Sequence, residues 1–305
     1  MAIHSLGGPR HESGEHSWVV LISECLASLK VMDPTAFLTL MLTGLGATAL
    51  MSAVGLAGGT IIVPVLVLVF GIEARYAAGT TILAIFFGIC SASVTYLRQG
   101  RVDVKLALLF DTLDILGVVL GSYATLLLSS EDLAFLLGCF LTFVAWRLWA
   151  GDSRQAKGYT TSLDRPIWKR RVVDKEGNVY EYKLTLPQLV LSQVASFASG
   201  IATGLFGIGG GSVDATIMML IGVPPHLAVA TSVFGMTITK SAGVVSHYFL
   251  GNVLLDIAVP LSIGAIAGGQ IGPRLASRAK PELLRRALAI TVLVIGLRLA
   301  IGRLM

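Results

Sequence analysis

The chain has 305 residues, 54% hydrophobic and 13% charged, with a mean hydropathy of +0.80. So few charges do not cover a soluble globule of this length, and the apolar runs are about as long as a bilayer core of ~30 Å requires, so the chain reads as a polytopic membrane protein. The formal charge of +5 does not point to nucleic acid, because nine of the 23 basic residues fall between positions 147 and 183 and others cluster at 98–105 and 274–286, all loop positions.

Residues 1–33 form an N-terminal tail. Its apolar stretch 18–29 is interrupted by Glu24, is too short to span and lacks a clean signal-peptide pattern, so a retained interfacial helix is expected. His4, His11 and His16 read as solvated tail residues. Within the N-terminal transmembrane repeat, 34–150, apolar segments run over 34–54, 58–70, 76–97, 106–128 and 133–149, with Pro34 where a helix start tolerates proline. A basic linker, 151–186, follows. Its runs 171–174 and 179–183 flank Lys175-Glu-Gly-Asn178, a β-hairpin pattern. The C-terminal transmembrane repeat, 187–305, then shows segments over 187–206, 211–221, 226–250, 253–275 and 283–303. Cys25, Cys90 and Cys139 are odd in number and widely spaced, offering neither a disulfide framework nor metal-ligand spacing; no metal or cofactor is expected.

The two halves are an internal duplication of roughly 110 residues. Gly55-Leu-Ala-Gly-Gly-Thr60 interrupts one apolar stretch and Gly207-Ile-Gly-Gly-Gly-Ser212 another. Reading on from Gly71 against Gly222 pairs Thr80 with Thr231, Gly100 with Gly251, Val102 with Val253, Ala107 with Ala258, Gly117 with Gly268, Gly121 with Gly272 and Glu131 with Glu282. Each half holds five apolar segments, one of them short. If the basic linker is cytoplasmic, loop 98–105 with Arg98, Arg101 and Lys105 falls inside, and loop 129–132 with Glu131 and Asp132 outside. Gly251-Asn252 then falls outside and the five basic residues of 274–286 inside. Equivalent loops carry opposite charge character, which predicts an all-α membrane protein of two inverted repeats, each with a glycine-broken short helix. The parity is the same whether the short segments span fully or form half-membrane hairpins.

Glycine breaks in matching places point to a transporter's binding site, because a broken helix exposes backbone groups that a ligand can satisfy. A helix restarted at membrane depth presents free N–H groups to an anion. This singles out Gly58, Gly59 and Thr60 at the first break, and Gly209, Gly210, Gly211 and Ser212 at the second. The competing account is close helix packing through small residues. The motifs Gly79-Thr-Thr81 and Ala230-Thr-Ser232 add Thr80, Thr81, Thr231 and Ser232, with ligand binding and backbone hydrogen bonding about equally open to them.

The second break, Gly222-Val-Pro-Pro-His-Leu-Ala-Val-Ala-Thr-Ser232, His247-Tyr-Phe-Leu-Gly-Asn-Val253 and Pro281-Glu-Leu-Leu-Arg-Arg286 together resemble the TauE/SafE sulfite and sulfonate exporter family, also called the 4-toluene sulfonate uptake permease family. The resemblance covers roughly residues 40–303. It implies secondary transport of small sulfur-containing or organic anions, described as export of sulfite, sulfoacetate and related compounds and coupled to protons. The first copy keeps Pro64 but has Ala57 for a glycine. The second departs through Asp214 and through Thr216 in place of the proline.

Ionisable residues inside a membrane cost about 2.5–3.5 kcal/mol each on insertion scales and are functional candidates by default. They are Asp111, Asp114, Asp214, Lys240 and His247. Ile62 and Ile89 stand where the second copy has Asp214 and Lys240. Either the pair is a buried structural ion pair, or Lys240 meets a sulfonate or carboxylate while Asp214 holds an amine or a proton, as would suit a zwitterion such as taurine. Asp214, His247 and Asp111 are the proton-coupling candidates, with a helix-end interfacial role the alternative for His247. Asp111 and Asp114 are expected near the cytoplasmic start of a helix, where its dipole stabilises carboxylates. The expected function is a multi-pass transporter of the cell membrane moving a small organosulfur or carboxylate anion or zwitterion with protons, compatible with a homo-oligomer; an uncoupled anion pathway is the alternative. No catalytic constellation marks an enzyme.

Overall fold

The computed structural model describes residues 33–53, 58–150, 166–207 and 211–276, together with the helical residues 289, 290, 292–294 and 296–300. The stretch 18–29, Ala57, Gly209 and Gly210, the linker part 151–165 and the motif at 281–286 lie outside the described residues. In chain order the elements are α1 (Pro34–Ala53), α2 (Gly59–Leu68), α3 (Ala74–Gln99), α4 (Val104–Ala124), α5 (Ser130–Ala150), β1 (Trp168–Val173), β2 (Val179–Leu184), α6 (Leu186–Phe206), α7 (Gly211–Leu220), α8 (Pro225–Phe249) and α9 (Leu255–Ala276).

Local chemistry sets the helix ends. The Asp33 carboxylate accepts from Thr35 N–H at 3.0 Å beside Pro34. Asp103 accepts from Lys105 N–H and Leu106 N–H at the start of α4. Thr185 and Gln188 form a capping box at the start of α6. That helix ends on Gly207, whose φ of 67° is open to glycine and costly for other residues.

Among the described residues five helices are long and apolar enough to cross a membrane: Pro34–Ser52, Ala74–Gln99, Leu186–Phe206, Pro225–Phe249 and Leu255–Gly272. Their burial is inside-out relative to a soluble protein. On α6, Val190, Leu191 and Val194 are 57–62% exposed while Ser192, Ser196 and Thr203 are 0–1% exposed. On α4, Leu108, Leu116 and Leu120 face outward while Asp111 and Asp114 are buried. An apolar exterior around a polar seam fits lipid as the surrounding solvent. The ten-residue helices α2 and α7 reach only about 15 Å at 1.5 Å per residue, half the bilayer core.

Helix packing couples the two copies. α1 packs on α9 and α6 on α4, while α3 and α8 contact each other and also α9 and α4 respectively. The glycines that permit this occupy equivalent places. A Cβ on Gly117 would collide with Phe197 O and Ile201 N of α6, and one on Gly268 with Leu45 O and Ala49 N of α1. The hydrogen bonds are reciprocal too: Leu254 N–H donates to Thr80 Oγ1 at 3.0 Å, and the equivalent Asp103 N–H to Thr231 Oγ1 at 3.0 Å.

β1 and β2 pair antiparallel, Trp168 opposite Leu184 and Val173 opposite Val179. The turn between them is built on Asp174, which accepts from Glu176 N–H, Asn178 N–H and the Asn178 side chain. The hairpin docks on the α3–α4 loop. Arg170 grips Asp103 with two hydrogen bonds of 2.8 and 2.9 Å, Tyr182 adds a third at 2.9 Å, and Arg101 bridges Asp174 and Glu176. Beneath it, Tyr182 and Leu184 join Leu106, Phe110, Met218, Ile221, Val223 and Leu227 in one apolar cluster. Loop 100–103, the hairpin and the α7–α8 turn therefore share one end of the bundle. At another point Ser130 bonds Glu73, and Asn252 bonds Thr125, tying loop 71–73 to the start of α5 and loop 251–252 to the end of α4.

Candidate functional site

α4 carries Asp111 and Asp114 three residues apart, which places both on one face of the helix. That face meets α8 and α6 at glycines. A Cβ on Gly235 would lie 2.5 Å from Asp111 Oδ2, and a Cβ on Gly200 would lie 2.7 Å from Asp114 Oδ1. The carboxylates thus rest on bare helix backbone. α7 brings Asp214 in its first turn, and α8 brings Lys240; all four side chains are at most 6% exposed.

The polar partners of this cluster are sparse. Ser199 of α6 engages Asp214, and Thr239 of α8 lies near Asp114, its hydroxyl donating to Met236 O at 3.4 Å. Lys240 Nζ, on a side chain 0% exposed, makes no hydrogen bond and no ion pair among the described residues. It nevertheless lies within charge–charge reach of Asp114, Asp214 and Asp111. Asp111 Oδ2, Asp114 Oδ1 and Asp214 Oδ1 are likewise buried without a hydrogen-bond partner among the described residues. A buried cation surrounded by carboxylates, yet in contact with none, is expensive unless another group completes its coordination.

Asp214 and Lys240 thus come together, and Asp111 joins them. Asp111 and Asp114 do not sit at the start of α4: the helix begins at Val104, and about 1.5 Å per residue carries the pair some 10–15 Å in, where helix-terminal dipole stabilisation has faded. Asp114, Ser199 and Thr239 complete the cluster; Asp114 stands out in the sequence as an ion in an apolar segment, whereas nothing along the chain marks Ser199 or Thr239. His247 lies elsewhere, its Nε2–H donating to Gly204 O at 2.8 Å while Nδ1 faces the Asn252 amide at 3.4 Å. That network assigns a neutral ring, since a second proton on Nδ1 would face a donor.

Thr80 and Thr231 accept backbone N–H bonds from the opposite copy, and Ser232 donates to Val229 O at 3.0 Å. Thr81 differs: its hydroxyl is fully buried and makes no hydrogen bond among the described residues. Gly58 precedes α2, where its carbonyl accepts from Ile61 N–H and Ile62 N–H, Gly59 and Thr60 are the first residues of that helix, and a Cβ on Gly58 would lie 3.0 Å from Thr48 Oγ1. Gly211 and Ser212 open α7 directly before the turn that holds Asp214.

Outside the membrane segments, burial opposes ionisation of Asp103, but hydrogen bonds from Arg170, Tyr182 and Leu106 N–H outweigh it and hold the carboxyl below its ordinary range. Asp174 is lowered chiefly by the Asn178 side chain, then by Asn178 N–H, Arg101 and Tyr180. Both groups are ionised clamps at neutral pH.

Comparison with known proteins places the chain among transporters. The family profile described as sulfite exporter TauE/SafE matches residues 40–299. The probable membrane transporter protein YunE of Bacillus subtilis is 31% identical over 278 residues, covering 87% of this chain and 97% of that protein. A probable membrane transporter protein of Methanocaldococcus jannaschii is 25% identical over 85% of this chain and 93% of its own length. Sulfite exporter TauE/SafE family protein 3 of Arabidopsis thaliana is 31% identical over 124 residues, 41% of this chain and 26% of that protein. No solved structure matches the chain.

Proposed function

This chain belongs to the sulfite exporter TauE/SafE family of membrane transporters, and on that premise we propose that it moves a small organosulfur anion or zwitterion, of the sulfite, sulfonate, sulfoacetate or taurine class, across the cytoplasmic membrane by proton-coupled alternating access. The observation that carries the proposal is Lys240, a fully buried cation that among the described residues has no hydrogen bond or ion pair and lies beside three buried carboxylates. Its ammonium receives the sulfonate, sulfite or carboxylate head of the substrate. Asp214 takes the amine of a zwitterion or a proton. The helix starts at Thr60 and Ser212 offer further N–H donors, and Thr81 an unengaged hydroxyl.

In this scheme the two copies are inverted repeats that rock against each other, and the basic linker lies in the cytoplasm. The reciprocal bonds of Thr80 and Thr231 support a two-fold relation between them, because such a relation requires that each contact occur twice with partners exchanged. The docking of the α7–α8 turn beneath the hairpin, while the equivalent loop 71–73 ties to α5, supports the inversion.

Reconstituted protein tests this through sulfite, sulfoacetate and taurine flux. Lys240→Ala is expected to abolish saturable flux while leaving folded protein in the membrane. Asp214→Ile with Lys240→Ile restores what the first copy carries at these positions, and transport surviving in that double variant would refute the site. Flux of the native protein that is linear in substrate and indifferent to a proton gradient would favour an uncoupled pathway instead.

A further inference from the structure

The architecture that buries Asp111 and Asp114 does not need them, because the symmetry-equivalent contact, made by α9 with α3 and α1, is built without a carboxylate. Where Asp111 lies against Gly235, the equivalent positions are Ser262 and Ala84, and Ser262 is satisfied by donating to Ala258 O of its own helix at 2.7 Å. Where Asp114 lies between Gly200 and Thr239, the equivalent positions are Ala265, Thr48 and Gly88. These also meet: a Cβ on Gly88 would lie 2.9 Å from Thr48 Cγ2 and 3.0 Å from Ala265 Cβ. At Asp111 the bulk given up is on α8, Gly235 for Ala84, and at Asp114 it is on α6, Gly200 for Thr48, while α8 there carries Thr239 where the counterpart has Gly88. The half without the carboxylates has Ser262 and Ala265 on α9.

This exchange leaves two carboxylates at membrane depth, each with one oxygen unpartnered. The groups facing them are known from every packed element. α7 supplies Asp214, α8 supplies Lys240 and the Thr239 hydroxyl, and α6 supplies serines but no charge. With Lys240 charged, ionising all three carboxylates buries a net double negative charge, which a low-dielectric site resists. Protons neutralise it, and so does a cationic group of the substrate.

We propose that Asp111 and Asp114 carry the protons of the transport cycle, with Gly235, Gly200 and Thr239 as the positioning residues that seat them. The inference rests on the functional reading above. A proton enters on a carboxylate oxygen from one side of the membrane, moves with the substrate-loaded site, and leaves to water on the other side when the site opens there. Lys240 holds the anion throughout.

The test separates substrate binding from proton coupling in proteoliposomes. Sulfite exchange across the membrane without a pH gradient reports the site, and acid-driven sulfite accumulation reports coupling; sulfoacetate and taurine serve as parallel probes. Asp111→Asn and Asp114→Asn are expected to keep exchange and lose acid-driven accumulation, whereas Lys240→Ala loses both. A third variant, Asp111→Ser with Asp114→Ala and Gly235→Ala, installs the residues of the equivalent contact in the other half and is read instead if an Asn variant fails to fold. Acid-driven accumulation retained in these variants overturns the inference alone, as does loss of exchange from well-folded Asn variants, which would make the pair substrate contacts. Absence of exchange with all three probes in the native protein overturns the functional reading and the inference with it.

Discussion

At the scale of single residues, Thr80 and Thr231 each accept a backbone N–H at a helix start of the other copy, whereas the hydroxyl of Thr81, next to Thr80, has no hydrogen bond among the described residues. Replacing either acceptor by valine keeps the shape and strands an amide, a penalty of about 1–3 kcal/mol. Thr80→Val and Thr231→Val should therefore lower the apparent melting temperature in detergent by similar amounts, and Thr81→Val should lower it much less while weakening sulfite binding. A Thr81→Val melt as low as the other two would show that its hydroxyl has a structural acceptor.

At the scale of elements, the hairpin is held through one face, on which Arg170 and Tyr182 bind Asp103 beside the packed Trp168, Val172 and Leu184, while its other face is exposed. Arg170 binds the fully buried Asp103 carboxylate bidentately and is itself only 29% exposed, whereas Arg171 and Glu181 pair at 3.5 Å with both side chains 67% exposed. Removing the first pair leaves a buried carboxylate short of two donors, so Arg170→Ala should cost about 1.5–3 kcal/mol of docking, measured as faster hydrogen exchange over 168–184. Arg171→Ala should cost at most a few tenths. The pH dependence follows from the lowered values of Asp103 and Asp174. Their stabilisation is fully present above the unfolded carboxylate value of about 3.9 and is lost as the pH falls through the folded values, so the hairpin should loosen only below about pH 4. Loosening near neutral pH would assign the docking to some other group.

At the scale of the whole molecule, equivalent glycines seat the interlocked helix pairs α1–α9 and α4–α6, so each copy is completed by a helix of the other. One half-cage is lined by Asp111, Asp114, Asp214 and Lys240, and its counterpart by Ser262, Ala265, Ile62 and Ile89. A charge lining confined to one half of a duplicated scaffold fits a single polar ligand held at Lys240 and Asp214, with Asp111 and Asp114 behind them as proton sites, better than a symmetric channel. The sidedness is testable through the turn. A cysteine placed at Asn178 should react with an impermeant thiol reagent only from the cytoplasmic face, and labelling in intact cells would reverse the topology.

The membrane class, the repeated sequence pattern and the turn around Gly177 were readable along the chain because each depends on neighbours in sequence: runs of apolar residues, a fixed offset between copies, and a backbone conformation that favours glycine. Asp214 and Lys240 stood out for a related reason, since an ion in an apolar segment is conspicuous without knowing what surrounds it. The convergence of Asp111 and Asp114 on that pair was not legible, because it depends on α4 crossing α6 and α8 at Gly200 and Gly235, residues more than 85 positions away. Nor could spacing tell that Thr80 and Thr231 would be claimed by backbone amides while Thr81 would not. The sequence by itself determined which groups are costly to bury; only the tertiary structure decided which of them find partners, because a hydrogen bond requires contact geometry that a linear pattern does not contain.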